Sequence, residues 1–347
     1  WVPPDKTPRP LNPETAYEAT YRDLVGTMRP ADMAMVSATA GYLIALGSRP
    51  IGPAYNFTLK TRVGTATFAE VAAGDFTPNG TLAAAIDPAT TAITLNARRD
   101  LDLVKVGEEM IIGGVEHCRV GAIDPVTGVL TIARGCVDTV PQSHLAGALV
   151  WFPDVYNGQD PTEYIQGETV AAKLLTRTSA GTLPEASATA QNVVMSARQD
   201  RPYAPGLLRI NGQAYPTTIT GQAVISWAHR DRLLQADQLV DTNQASIGPE
   251  PGTQYRVRLY LGTSLKRTEV VSGTSYTYTT AQEAADGGPF NPLRIVVDAV
   301  RGGVYSHQAH DISVGRSCAE QGDGQALAGA YPPPQHTRSA AWHWPRP

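Results

Sequence analysis

The residues in this chain best suited to chemistry are few and scattered. His307, His310 and Asp311, followed by Cys318, bring two imidazoles, a carboxylate and a thiol into one stretch, the donor types of a zinc site. On a strand, positions 307 and 310 face opposite sides, so these residues read as polar groups at a strand end. His229-Arg230-Asp231 has the composition of a catalytic cluster, yet consecutive residues on an extended chain do not converge, and a general base needs its partner within hydrogen-bond reach. Arg230 and Asp231 read instead as an ion pair at a surface or between domains, and stand as candidate interface residues. Glu108-Glu109, and Asp100 with Asp102, have no companion acid and no predicted cleft, which leaves them as solvated turn residues. Gly322-Asp323-Gly324 is the nearest approach to a phosphate loop, but no strand leads into it and no helix follows. No nucleophile elbow, metalloprotease signature or calcium loop occurs in a matching context. The expectation is a non-enzymatic chain with no catalytic residues, no cofactor site and no metal ligands.

Two aromatic pairs remain. Tyr276 and Tyr278 share one strand face, a pattern that serves core packing more often than stacking on sugars. Trp342 and Trp344 lie in a Pro-rich tail with no domain core to enter, and are candidate interface residues for insertion into a neighbouring subunit.

The elements that would carry these residues follow from composition. A chain of 347 residues predicts two to four small modules. Its 32 Gly and 27 Pro, together with abundant Thr, Ala and Val, suit short strands joined by tight turns. With 17% charged residues and a net charge of -4 there is no basic field, so specific nucleic-acid binding is not expected. No apolar run reaches the roughly 18 to 20 residues of a membrane span, and no signal-peptide order opens the chain, which reads as soluble. The start at Trp1 suggests a segment of a longer polypeptide. Cys118, Cys136 and Cys318 are an odd, sparse set for which reduced thiols are the default; Cys118 and Cys136 flank a predicted hairpin turn, and a disulfide across it stays open.

Along the chain, residues 1–13 hold five prolines and predict an extended arm. Residues 14–87 form a mixed region: two short helices are expected between Glu14 and Leu46, then a strand over Ala54 to Val63. Residues 88–155 read as a small barrel-like β module, whose hairpin turn is Asp124-Pro125-Val126-Thr127-Gly128. Residues 156–204 read as a mixed segment ending in an exposed polar connector. Residues 205–315 offer about seven strands at the spacing of a fibronectin type III-like sandwich, with Tyr255 to Leu261 alternating cleanly. Residues 316–347 are a tail with little structure of its own. The fold class is mainly β and multi-domain, with short helices near the N-terminus.

Three stretches, in order, resemble a known family. Tyr21-Arg22-Asp23-Leu24 with Ala40-Gly41-Tyr42 and Gly74-Asp75-Phe76-Thr77-Pro78 resemble a region of the tail-tip or baseplate hub proteins of long-tailed, siphovirus-like bacteriophages. Val129 to Gly135, Asp138 to Pro141, His144 and Val150-Trp151-Phe152 look like the small β domain of those proteins. Ser226 to Arg232, Gly248-Pro249-Glu250 and Gly273 to Tyr278 are similar to their fibronectin type III-like domain. The resemblance covers residues 15–315 and implies the C-terminal portion of a virion protein, usually a homotrimer, assembled in the bacterial cytoplasm. It implies hub, distal-tail and fibre proteins as partners, a host receptor as a further one, and a role in host attachment and DNA ejection. It brings no catalytic residues. The alternative from another class is a secreted carbohydrate-binding or adhesion protein.

Overall fold

The computed structural model describes residues 5–317. Pro13 ends the extended arm and admits β1 (Glu14–Glu18), after which Thr20 caps the short helix α1 (Tyr21–Thr27). The Thr20 hydroxyl accepts from the Asp23 N–H while the Asp23 carboxylate accepts from the Thr20 N–H, satisfying donors that a helix start leaves open. Pro30 opens α2 (Pro30–Met33) at a position where its missing N–H costs nothing. Strands β2 (Ala40–Gly47), β3 (Ala54–Val63) and β4 (Ala69–Gly74) follow. Both helices expected between Glu14 and Leu46 are present, but Leu43 to Leu46 lie on a strand. Leu43 and Ala45 face one core and Tyr42, Ile44 and Leu46 another, so every residue of β2 is buried and the period-two signal is lost.

The chain then builds a closed six-stranded barrel from β5 (Asn79–Leu82), β6 (Ala92–Arg99), β7 (Glu109–Ile112), β8 (Glu116–Asp124), β9 (Val129–Ala133) and β10 (Leu149–Trp151), in the order β10-β5-β6-β9-β8-β7. The Asp124 carboxylate accepts from the Val126 and Thr127 N–H groups at 2.9 and 3.3 Å, fixing the predicted hairpin turn between β8 and β9. Leu95, Met110, Ile112, Cys118, Val120, Leu130 and Val150 fill the interior, the alternation expected of a small barrel. The barrel begins at Asn79 and not at residue 88, because β5, with two buried side chains in four residues of NGTL, is too short and too polar to read as a strand.

After the barrel the chain returns to the first module. Strand β11 (Gly158–Ile165) joins β1 and β2, while β12 (Thr169–Thr178) pairs with β3, with β13 (Gly181–Thr182) and with β14 (Gln191–Val194). The polar stretch 176–192 is therefore not only a connector: it holds the end of β12, β13 and the start of β14, and residues 156–204 supply half of a two-sheet module that encloses Leu43, Phe57, Leu59, Val170 and Leu174. The other face of β12 is covered too, Leu175 packing on Leu183 and Ala188, so its pattern carries no alternation.

The last module is a sandwich. One sheet is β15 (Gly206–Ile210), β17 (Ala223–Ala228) and β20 (Ser275–Tyr278); β16 (Thr218–Ile219) lies on the edge of the other, in the order β16-β23-β21-β18-β19. Its remaining members are β18 (Thr253–Leu261), β19 (Ser264–Val271), β21 (Leu293–Arg301), with the short β22 (Val304–Tyr305) beside it, and β23 (His310–Arg316). A short helix α3 (Thr280–Ala285) bridges β20 and β21. Apart from the two-residue strands, three strands face four in a fibronectin type III-like arrangement over Ile225, Trp227, Tyr255, Val257, Leu259, Ile295 and Val297. The final strand is β23 and not the one begun at Val304, which is a two-residue hairpin arm. The molecule is mainly β and multi-domain.

Candidate functional site at the junction of the modules

The side chains that sequence reasoning singled out do not converge. His310 is buried and its Nε2–H donates to the Pro205 carbonyl at 2.7 Å, while Asp311 faces outward to pair with Arg294. His307 is exposed, and Cys318, Gly322 to Gly324, Trp342 and Trp344 lie outside the described residues. His229 stacks on Tyr255 and shares a 2.7 Å hydrogen bond with its hydroxyl. Arg230 and Asp231 are both buried and do not pair: Arg230 donates to the Asp241 carbonyl, and Asp231 accepts from the Leu233 and Leu234 N–H groups at 2.8 and 3.1 Å. The expected surface or interdomain Arg-Asp pair is thus replaced by two groups serving their own turn, because the chain bends at this point and sends the two side chains apart. Tyr278 is in the sandwich core and Tyr276 packs against it. Glu108 accepts from the Lys105 N–H, Asp100 pairs with Arg49, and Asp102 is exposed, as turn residues should be. Glu109 is not solvated: its side chain is 1% exposed.

Glu109 belongs to an ion network that no local pattern announced. From β7 it accepts from Arg22 of α1 at 2.6 Å and from the Nδ1–H of His117 on β8. The proton is assigned to Nδ1 because the other ring nitrogen accepts from Arg198 Nη2 at 3.0 Å. Arg198 grips Asp138 with two bonds, 2.7 and 2.8 Å, and its own N–H donates to Glu18 of β1 at 3.0 Å. Burial pushes the Glu109 and Asp138 carboxyls up, but the His117 hydrogen bond with the Arg22 and Arg198 charges at Glu109, and the Arg198 charge and bonds at Asp138, outweigh it and hold both below the usual range.

Arg198 opens a single 3-10 turn, Arg198–Asp200, whose three residues each tie different modules together. Gln199 donates to the Ser37 carbonyl at 2.9 Å, and its own carbonyl accepts from Arg232 of the sandwich at 2.6 Å. Asp200 accepts from Arg232 at 2.9 Å and from Arg301 at 3.2 Å, and Glu250 completes the group by pairing with Arg232 at 3.1 Å. Arg232 also lies over the ring of Tyr21 in α1, 4.9 Å from its centroid. The residue of the His-Arg-Asp-Arg run that joins modules is therefore Arg232.

A second cluster closes one end of the barrel. Glu116 is fully buried and accepts from Arg134 Nε at 2.7 Å and Nη2 at 2.8 Å, from His144 at 2.8 Å, and from the N–H groups of Gly135 and Gln142. Arg134 spends its remaining donors on the carbonyls of Asp87, Thr90 and Gln142, so all five are used. Burial works against ionisation of Glu116, and the Arg134 and His144 bonds keep the carboxyl lowered. The link from β9 to β10 is mostly buried and faces the sandwich, where Asp241 accepts from the Arg134 N–H and Gln308 from the Val140 N–H. A buried link of this kind must satisfy its backbone, and these bonds do so.

Chemically, the His117–Glu109 pair is the orienting half of a base, but its free nitrogen is occupied by a guanidinium and so has no access to a substrate proton. Among the described residues, no cluster of three or more His, Cys, Asp or Glu forms a metal site, and no helix is long and apolar enough to cross a membrane. What the arrangement does is fix the barrel, the two-sheet module and the sandwich against one another through paired charged groups.

No protein-family model matches the chain, and no curated protein does. Among solved structures, a crystal structure of the FN1–FN3 domains of chicken CNTN1 is similar over 69% of this chain and 67% of that one, at 11% identity and a TM-score of 0.19. A score that low carries no argument, and the fold class rests on the strand pairing described above.

Proposed function

We propose that this chain is a structural, non-catalytic component of a bacteriophage tail tip or baseplate hub, working by assembly with hub, distal-tail and fibre proteins and by host attachment. The observation that carries the reading is the Arg198–Asp200 junction, which ties three modules into one block through ion pairs, of which Arg198–Asp138 is buried. A part that transmits load benefits from such locking, because breaking a buried pair is costly and the modules cannot reorient without doing so. The family resemblance supports the reading at the same places. Arg22, Arg134, Asp138, His144, Arg232 and Glu250, which belong to the resembling stretches, are members of the ion clusters.

The test is mass spectrometry of purified phage particles from the source strain. Peptides of this chain recovered in stoichiometric amounts with other tail proteins support the reading, and peptides upstream of Trp1 in the same polypeptide would fix its full length. Recovery of the protein free in the medium and never in particles would overturn it in favour of a secreted adhesion module.

A further inference from the structure

We infer that the groove around α1 is a docking site for a partner segment that is apolar on one side and carries Lys or Arg on the other. Three clefts border this seven-residue helix. One, of about 430 Å³, is lined by Val25, Met28, Pro30, Met33, Leu233 and Ala236 and holds no charged side chain. The next, of about 250 Å³, shares Val25 and Ala236 with it and is acidic, with Asp23, Glu109, Asp154 and Asp237 set against the single cation Arg22. The third, of about 300 Å³, is apolar apart from Asp23, Asp160 and neutral polar groups.

Two features set this surface apart from an ordinary solvated face. Three of the five methionines of the chain, Met28, Met33 and Met35, fall within eight residues here, whereas Met110 and Met195 are buried in cores. Met35 is 84% exposed, and beside the groove Leu233 and Leu234 are 49% and 64% exposed. Flexible thioethers accommodate varied apolar partners, and surfaces of this composition bind amphipathic segments. The charge asymmetry then selects the partner. Of the five carboxylates lining the three clefts, Glu109 and Asp160 are buried and partnered within the chain and Asp154 shares Arg22 with Glu109; Asp23 and Asp237 form no ion pair among the described residues, and Asp237 is exposed. An acidic partner would be repelled, and a basic-apolar one drawn in. The inference does not depend on the chain being a virion protein.

The experiment uses protein labelled with ¹³C at the methionine methyls, whose few signals separate groove from core. The probe is a synthetic peptide of Leu and Lys with Leu at helical spacing, compared with a twin in which Glu replaces every Lys. The Leu/Lys peptide is expected to move the Met28, Met33 and Met35 signals and leave Met110 and Met195 in place, and the Glu twin to move none. Asp237→Lys, on an exposed loop, is expected to weaken binding about tenfold or more, and Leu233→Asp to weaken it likewise. Equal shifts with the Glu twin, no shifts at all, or movement of the two core signals would each overturn the inference. So would groove signals that shift with protein concentration alone, which would assign the groove to a second copy.

Discussion

Arg198 and Asp138 lie sixty residues apart and form a two-point ion pair, Nε to Oδ2 at 2.7 Å and Nη2 to Oδ1 at 2.8 Å, with side chains 6% and 2% exposed. Removing one partner strands the other charge in a site that water does not reach. Arg198→Ala is expected to cost about 3–5 kcal/mol, the usual loss for breaking a buried pair. Chemical denaturation checks this. Replacing both partners, Arg198→Met with Asp138→Leu, should cost less than the single change, because no charge is left uncompensated; a double variant as unstable as the single would show that Glu18 and His117 carry the pair's role.

Gly135 has φ +57°, and a Cβ there would meet the Pro141 ring at 2.5 Å. Its N–H also feeds Glu116. Gly135→Ala is expected to destabilise by about 1–3 kcal/mol, through backbone strain and displacement of the ring. A thermal melt lowered by several degrees is the predicted readout, and an unchanged one would contradict it.

His310 is buried against the Pro205 carbonyl, and burial pushes its imidazole down to about 4 from an ordinary 6.5. The unfolded chain therefore binds the proton first as pH falls, so this group's contribution is complete above pH 6.5 and is lost progressively down to about 4. The loss is worth up to about 3 kcal/mol. His310→Asn should remove this part of the acid dependence, seen as a difference from the parent that narrows between pH 6.5 and 4.

Glu14 behaves in the opposite sense. Burial raises its carboxyl to about 7, with only a hydrogen bond from Gln191 opposing. The folded state holds the proton longer than the unfolded one, so the contribution is full below pH 4.5 and is lost as pH rises through 7. Glu14→Gln is expected to stabilise at pH 8 and to change little at pH 4, which denaturation at the two pH values checks.

Cys118 and Cys136 are free thiols, both fully buried, and burial pushes both well above the ordinary range. The disulfide left open by the sequence is absent. Neither thiol is expected to react with iodoacetamide in the native state at neutral pH, and both should react after unfolding, as peptide mass spectrometry will read. Native-state labelling of either would contradict the burial.

Where one face of a strand meets a core and the other meets solvent, the sequence was readable. Tyr255 to Leu261, β9 and the start of β6 show period-two burial, and the β8–β9 hairpin lies at nearly the predicted bounds. Where both faces are covered, the period vanishes. β2 packs between the two-sheet core and α1 with the barrel wall, and β12 between that core and the segment carrying Leu183 and Ala188, so both were misread. Insertion of the barrel between β4 and β11 was equally hidden, since pairing of β2 with β11 spans the whole barrel and leaves no local mark.

The candidate site shows the same division more sharply. The sequence by itself determined a mainly β chain, its turns, its sandwich, and the failure of its scattered His, Asp and Cys residues to form a local motif, because those properties depend on spacing within a few residues. Only the tertiary structure decided which charges are buried and with whom. Arg198-Gln199-Asp200 reads as an ordinary polar stretch until Asp138, Glu18, Arg232 and Arg301 arrive around it from four distant segments. A charge is paired by whatever the fold brings within a few ångströms, and that neighbourhood is set by packing, not by sequence separation.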